Sequence, residues 1–262
     1  MGRGYFSGPR PRLFGHRGAA GVAPENTLAS FRQAREDGAG YFELDVHATR
    51  DAVVVVIHDP TLERTTDGAG AIRDLTFAEL QRHDAGFRFE LEGAHPFRGR
   101  GVRVPALEQL LDEFPDVPLN IEIKQLEPPI EPLVISLLER QNALDRVVLA
   151  AEDDRIMERI RGHAPQAATS ACYGEVREFF ERSFAGRFDG YRPRARALQI
   201  PPRFGDLELV SADTLAAAHR FGLEMHVWTI NEEREMEALL ALGVDGVMSD
   251  FPARLVAAAR GA

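Results

Sequence analysis

Short apolar, β-branched segments alternate with longer segments of helical period along almost the whole chain. The strand-like segments are "RLFGH", "YFELDV", "VVVVIHD", "LNIEIK", "RVVLAA", "ATSAC", "ALQI", "EMHVWT" and "DGVMSD". Helical spacing of apolar residues recurs at about 25–38, 105–114, 129–141, 153–162, 174–185, 211–221, 231–242 and 252–260. Such alternation predicts parallel βα units rather than a sandwich. One segment fails a geometric requirement. Only six residues separate Val46 from Val53, whereas a parallel partner needs a crossover of about a dozen or more. "VVVVIHD" is therefore expected to fold back as a hairpin arm on "YFELDV". Eight parallel strands and eight helices remain, which predicts an α/β fold of the (β/α)8 barrel type. That architecture takes about 250 residues, so one domain over 1–262 is expected. A doubly wound sheet is disfavoured, because no strand leads into a Gly-rich crevice fingerprint.

Local signals punctuate the helices. Pro24 or Glu25 is expected to open the first, Ser211 precedes "ADTLAAAHRF", and Asn231 precedes "EEREMEALLAL". Residues from about 60 to 104 fit no βα unit and hold a Gly-rich turn, a short helix ("TFAELQRH") and an irregular stretch. Long loops of this kind are usually functional, so this stretch is expected to be a small lid inserted above the barrel mouth. No repeat of fixed period is present.

The side-chain period of two sorts the strands. With Ile121 and Ile123 facing the helices, Glu122 and Lys124 face inward. With Phe42, Leu44 and Val46 outward, Glu43 and Asp45 face inward. His16 and Arg17 end the first strand, and the hairpin arm returns His58 beside Glu43. Each feature alone has an ordinary explanation: E-x-K as a solvated cross-strand pair, a lone histidine as a hydrogen-bonded structural residue, "D-P" as a turn. Their coincidence inside a barrel that normally holds Val, Ile and Leu is what demands chemistry, since uncompensated buried charge costs several kcal/mol. Three carboxylates cannot all ionise at one point without a cation, and their oxygens suit a hard ion such as Mg²⁺ or Ca²⁺. Two histidines titrate near neutrality, as acid–base catalysis requires. Arg17 and Lys124 add positive charge that these carboxylates need not consume, and a phosphate is the natural ligand for such a set.

Composition narrows the partners. The net charge of −10 argues against nucleic acid or an anionic membrane as a stable partner. A single cysteine, Cys172, excludes an intrachain disulfide and a Cys-rich zinc site. The start lacks the apolar core of an export signal, and the apolar run "AVVVVI" is far too short to span a bilayer; a cytoplasmic protein is expected. Thirty of the 31 basic residues are arginine, which leaves Lys124 as the sole lysine. A compact ammonium on a four-carbon stem meets a single phosphoryl oxygen where a planar guanidinium would be bulky.

The ordered set H-R-G, P-E-N-T, E-x-D, H-D, E-x-K and W-T-x-N, running from His16 to Asn231 and followed by "GVDGVMSDFP", resembles the glycerophosphodiester phosphodiesterase family. The resemblance covers nearly the whole chain. It implies a barrel enzyme that hydrolyses small-molecule glycerophosphodiesters to sn-glycerol 3-phosphate and an alcohol with one divalent cation, Mg²⁺ or Ca²⁺. It implies His16 and His58 as the acid–base pair, Glu43, Asp45 and Glu122 as metal ligands, Arg17 and Lys124 as phosphate-binding residues, and Trp228 as a wall of the substrate pocket. Asn26 reads either as a helix cap or as a site residue, and Asp250 as a cap or as an orienting partner. His47 is expected to lie beyond its strand, outside the metal site, and Asp59 to shape the lid. Two other readings remain: a lysophospholipase D type enzyme on the same barrel, which would show an apolar channel or loop beside the mouth, and a non-catalytic phosphodiester-binding protein, which would lack a ligand or histidine.

Overall fold

The computed structural model describes residues 4–261. Eight strands run parallel: β1 (Arg12–His16), β2 (Tyr41–Ala48), β4 (Leu119–Ile123), β5 (Val147–Ala150), β6 (Ala168–Thr169), β7 (Ala197–Ile200), β10 (Glu224–Val227) and β11 (Gly246–Ser249). Their order is β6-β5-β4-β2-β1-β11-β10-β7, and a parallel bridge from Ser170 to Ala197 brings the two ends together. The result is the expected, nearly closed barrel. The short arm β3 (Val54–Val56) pairs antiparallel with β2, Val46 opposite Val56, as the six-residue separation requires.

Helices α1 (Leu28–Glu36), α3 (Leu107–Glu113), α4 (Glu131–Arg140), α5 (Asp154–His163), α6 (Tyr173–Ala185), α7 (Ala212–Arg220), α8 (Glu233–Leu242) and α9 (Pro252–Gly261) follow the parallel strands. Outward strand positions pack on them: Phe42, Leu44, Val46, Ile121 and Ile123 share one buried apolar cluster with Phe31, Leu110 and Val134. Two expected helix starts are corrected. Thr27 caps α1, its hydroxyl accepting from the Ser30 amide, so Pro24 and Glu25 stay in the loop before it. Glu232 precedes α8, and Asn231 is drawn off to Asp250, its amide nitrogen donating at 2.7 Å. Ser211 caps α7 as expected, its hydroxyl accepting from the Thr214 amide.

The insertion after β3 contains a 3-10 turn at Ile72–Asp74 and one short α-helix, α2 (Phe77–Leu80), the latter within the expected "TFAELQRH". It carries its own small core of Leu62, Ile72, Leu80, Ala85 and Val104, packed on Val55 and Ile57. The arm β3 thus serves two layers: Val54 and Val56 join the main core, and Val55 anchors the insertion.

Inside the barrel the inward residues form successive levels. Near the N-terminal ends of the strands, Tyr5, Phe14, Tyr41, Val148 and Met248 fill the interior. Gln199 and Asn120 hydrogen-bond across the next level at 2.7 Å. At the base, Arg12 is 1% exposed and grips Glu224 with two parallel bonds of 2.6 and 2.7 Å; it also donates to the Tyr41 hydroxyl and the Tyr5 carbonyl. Burial alone would raise the Glu224 pKa, but the bonds from Arg12 and His226 hold it down at about 2. A carboxylate depressed in the folded state stabilises above its unfolded pKa, roughly 4.3, and that stability is lost as pH falls toward the folded value. Glu224→Gln strands a buried guanidinium, so unfolding in urea at pH 7 should show a loss of about 3–5 kcal/mol, and the difference from the parent should shrink as pH falls from 4 toward 2.

Candidate active site

The C-terminal ends of β1, β2 and β4 and the end of the β3 arm bring seven ionisable groups to one rim. Glu43 and Asp45 project inward from β2, and Glu122 from the neighbouring β4, where it sits opposite Asp45 in register. One carboxylate oxygen from each lies within 4.8 Å of the others. Glu43 and Asp45 are buried and Glu122 is partly so. Burial, and then the charge of Asp45, push Glu43 up to about 7. Burial likewise raises Glu122, against the pull of Lys124. For Asp45 the balance reverses: burial would raise it, but Arg17, Lys124 and His58, with a hydrogen bond from Asn26, lower it.

The histidines are each held from behind by a carboxylate. His16 Nδ1 lies 2.7 Å from Asp250 Oδ1, and Asp250 is fixed in turn by the Asn231 amide nitrogen and by its own backbone N–H donating to Asn231 Oδ1 at 3.0 Å. His16 Nε2 faces Glu43 Oε2 at 3.8 Å. Burial would lower the His16 pKa, but the Asp250 bond and the Glu43 charge outweigh it and raise it. His58 repeats the pattern, with Nδ1 2.6 Å from Asp59 Oδ1. The Ile57 amide bonds to the Asp45 carbonyl, so the arm returns His58 level with the segment between Glu43 and Asp45. A neutral imidazole in this setting donates from Nδ1 to its carboxylate and keeps Nε2 as the basic nitrogen.

Arg17 and Lys124 differ from the sequence expectation, because the carboxylates do consume their charge here. Arg17 Nε lies 3.1 Å from Asp45 Oδ2 and Nη1 bonds Glu25 Oε1 at 3.0 Å. Its backbone N–H donates to Glu43 Oε2 at 3.1 Å. Lys124 Nζ sits 2.8 Å from Glu122 Oε1 and 3.4 Å from Asp45 Oδ1. The physical reason is the buried negative charge itself, which recruits the nearest cations. Trp228 follows β10 at the same rim, half exposed at 41%, on the side of the barrel away from β4. It is not among the residues that line the cavity beside Glu122 and Lys124.

Arg64 and Glu25 take part without a site role read from the sequence, and three residues named there find their places. Asp59, expected to shape the lid, bonds Arg64 of the insertion at 2.5 Å and also His58. Arg64 also forks onto Glu25 at 2.7 and 2.8 Å. A continuous chain thus runs His58–Asp59–Arg64–Glu25–Arg17–Asp45. Asn26 resolves as a site residue: its amide nitrogen donates to Asp45 Oδ2 at 2.9 Å, and its backbone takes φ 56°, a left-handed conformation that Asn tolerates better than most residues. His47 lies within β2 rather than beyond it. It is buried, its Nε2 is 3.0 Å from the His58 carbonyl oxygen, and burial lowers its pKa. Asp59, Glu25 and Asn26 fall inside the H-D and P-E-N-T motifs; Arg64 carries no such signal.

The carboxylate triad fits a hard divalent cation. Its donors are all oxygen, and Glu43 is pushed toward its protonated form by burial and Asp45 even with His16 and Arg17 nearby.

Comparison with known proteins places these residues in context. The profile of the glycerophosphoryl diester phosphodiesterase family matches residues 16–254. A glycerophosphodiester phosphodiesterase of Caldanaerobacter subterraneus is 32% identical, over 93% of this chain and 96% of its own. A lysophospholipase D of Homo sapiens is 28% identical, over 92% of this chain and 83% of its own. Among solved structures, a phosphodiesterase of Oleispira antarctica in complex with the product sn-glycerol-3-phosphate superposes with a TM-score of 0.77 at 25% identity, covering 95% of this chain and 96% of its own.

The hydrogen bond behind His16 makes a spectroscopic prediction. In Asp250→Asn the support for the imidazolium weakens, so the His16 pKa, followed by its ring proton resonances in NMR, should move down from the parent value. An unchanged titration would remove Asp250 as its orienting partner.

Proposed function

The chain belongs to the glycerophosphoryl diester phosphodiesterase family, and on that premise we propose that it is a metal-dependent hydrolase releasing sn-glycerol 3-phosphate and an alcohol from glycerophosphodiesters. The observation that carries this reading is the convergence of three carboxylates and two histidines at one rim, each histidine backed by its own aspartate. Glu43, Asp45 and Glu122 would hold the cation, Mg²⁺ or Ca²⁺. Bound there, it would supply Lewis-acid charge to the phosphoryl oxygens.

The chain's own residues divide the remaining work. One of His16 and His58 takes a proton from the attacking oxygen through Nε2, and the other delivers a proton to the leaving alkoxide. Asp250 and Asp59 hold the two rings in the tautomer this requires and stabilise each imidazolium. Lys124 is placed to exchange its contact with Glu122 for a phosphoryl oxygen, and the Arg17 guanidinium, tied to Asp45 and Glu25, presents fixed positive charge beside the same point. Trp228, half exposed at the rim, would wall the glycerol side.

One observation favours a second reading, action on a lysophospholipid. Between β7 and α7 lies a tight hairpin, β8 (Arg203–Phe204) and β9 (Leu207–Glu208), which starts three residues after Ile200, whose carbonyl accepts from the Trp228 amide at 3.1 Å. Phe204 and Leu207 pair directly across it and are 68% and 45% exposed. Directly opposed residues share one face, so the tip offers a small apolar surface where an acyl chain could lie, and a lysophospholipase D is among the similar proteins.

Product release from glycerophosphocholine should require added Mg²⁺ or Ca²⁺ and stop in EDTA. His16→Ala and His58→Ala should each lose at least about 10²–10⁴-fold in kcat while unfolding like the parent. Full activity of either variant, or in EDTA, would sink the assignment. In the second reading, Phe204→Ser with Leu207→Ser should raise KM for lysophosphatidylcholine severalfold and leave glycerophosphocholine unaffected; equal effects on both would leave the hairpin without a role in lipid binding.

A further inference from the structure

A cavity of about 560 Å³ opens beside the carboxylate triad, on the β4–β6 sector of the rim. Glu122 and Lys124 form its inner wall, and Glu152, Asp154 and Tyr173 form its outer wall. Charge does not balance across it. Lys124 is held by Glu122 and Asp45, and Arg155, also on the cavity, is held by Asp153 at 2.6 Å. Glu152 and Asp154 have no cationic partner among the ion pairs of the described residues; Asp154 accepts from the Gly174 amide at 2.8 Å and meets the Cys172 thiol. Tyr173 begins α6 with its backbone N–H bonded to the Glu152 carbonyl at 2.9 Å. Its side chain is nonetheless 56% exposed, so the ring stands at the cavity edge instead of in the core.

An exposed aromatic ring next to surplus carboxylate charge is suited to an organic cation. The cavity begins where a phosphate would meet Lys124, at the end of β4 and across the ring from β10 and Trp228, and follows the β4–β6 arc of the rim, so it is the space open to the group of the diester that does not lie against Trp228. We propose that this cavity receives the leaving alcohol, and that Glu152, Asp154 and Tyr173 select a positively charged one, an amino or quaternary ammonium alcohol, over a neutral one. The inference rests on the phosphodiesterase reading and adds to it the residues that set alcohol preference.

The test compares kcat/KM for glycerophosphocholine and glycerophosphoethanolamine with that for glycerophosphoglycerol, whose alcohol is neutral. The parent, Glu152→Gln with Asp154→Asn, and Tyr173→Leu are measured, with tetramethylammonium as a competing probe. The parent should favour the cationic diesters by about three- to tenfold. The double variant should bring that ratio close to one, Tyr173→Leu should lower it for the choline diester in particular, and competitive inhibition by tetramethylammonium should weaken in both. Equal kcat/KM for all three diesters in the parent, or a preference that survives the double variant, overturns the alcohol assignment and leaves the phosphodiesterase reading standing. Failure of the folded, metal-supplied parent to cleave any of the three overturns the reading beneath it.

Discussion

Three carboxylates held within 4.8 Å of one another in a barrel interior are the constraint around which the rim is organised. Left alone they repel, and burial in low dielectric penalises each charge. The protein's response is visible on every side. Arg17 and Asn26 lean on Asp45, Lys124 bridges Glu122 and Asp45, and the Arg17 amide points at Glu43. Glu43 still lies well above the ordinary carboxylate range. A hard cation would remove that residual cost, which links the electrostatics of the fold to the proposed chemistry.

The same need for compensation spreads outward into a network. Arg17 is held by Glu25, Glu25 by Arg64, and Arg64 by Asp59, which holds His58. The insertion after β3 therefore does more than pack a small core of its own. It contributes Arg64, which ties the loop before α1 to the histidine at the end of the β3 arm. On the other flank Asn231, displaced from its expected capping position, fixes Asp250 behind His16. Both histidines are thus oriented by side chains from neighbouring loops of the barrel mouth, where such folds concentrate their function. At the opposite end of the barrel, Arg12 and Glu224 pair with each other inside an aromatic cage. That pair closes the base and leaves the chemistry to the rim.

The sequence by itself determined the architecture and the inward set. Alternating periods separated strands from helices, and the six residues between Val46 and Val53 forced β3 to run antiparallel, because chain length forbids a parallel return. Parity placed Glu43, Asp45, Glu122 and Lys124 inside, because a strand's side chains must alternate whatever surrounds them. What tertiary structure alone decided was pairing. The partners of Arg17, Lys124, His58 and Asn231 come from segments between 8 and 79 residues away or adjoin them in ways local pattern does not distinguish; Asp59 next to His58 reads equally as a turn. Which cation meets which carboxylate depends on the distances set when eight strands close into a ring. Coulomb energy falls with distance and local dielectric, and neither quantity exists along a linear chain.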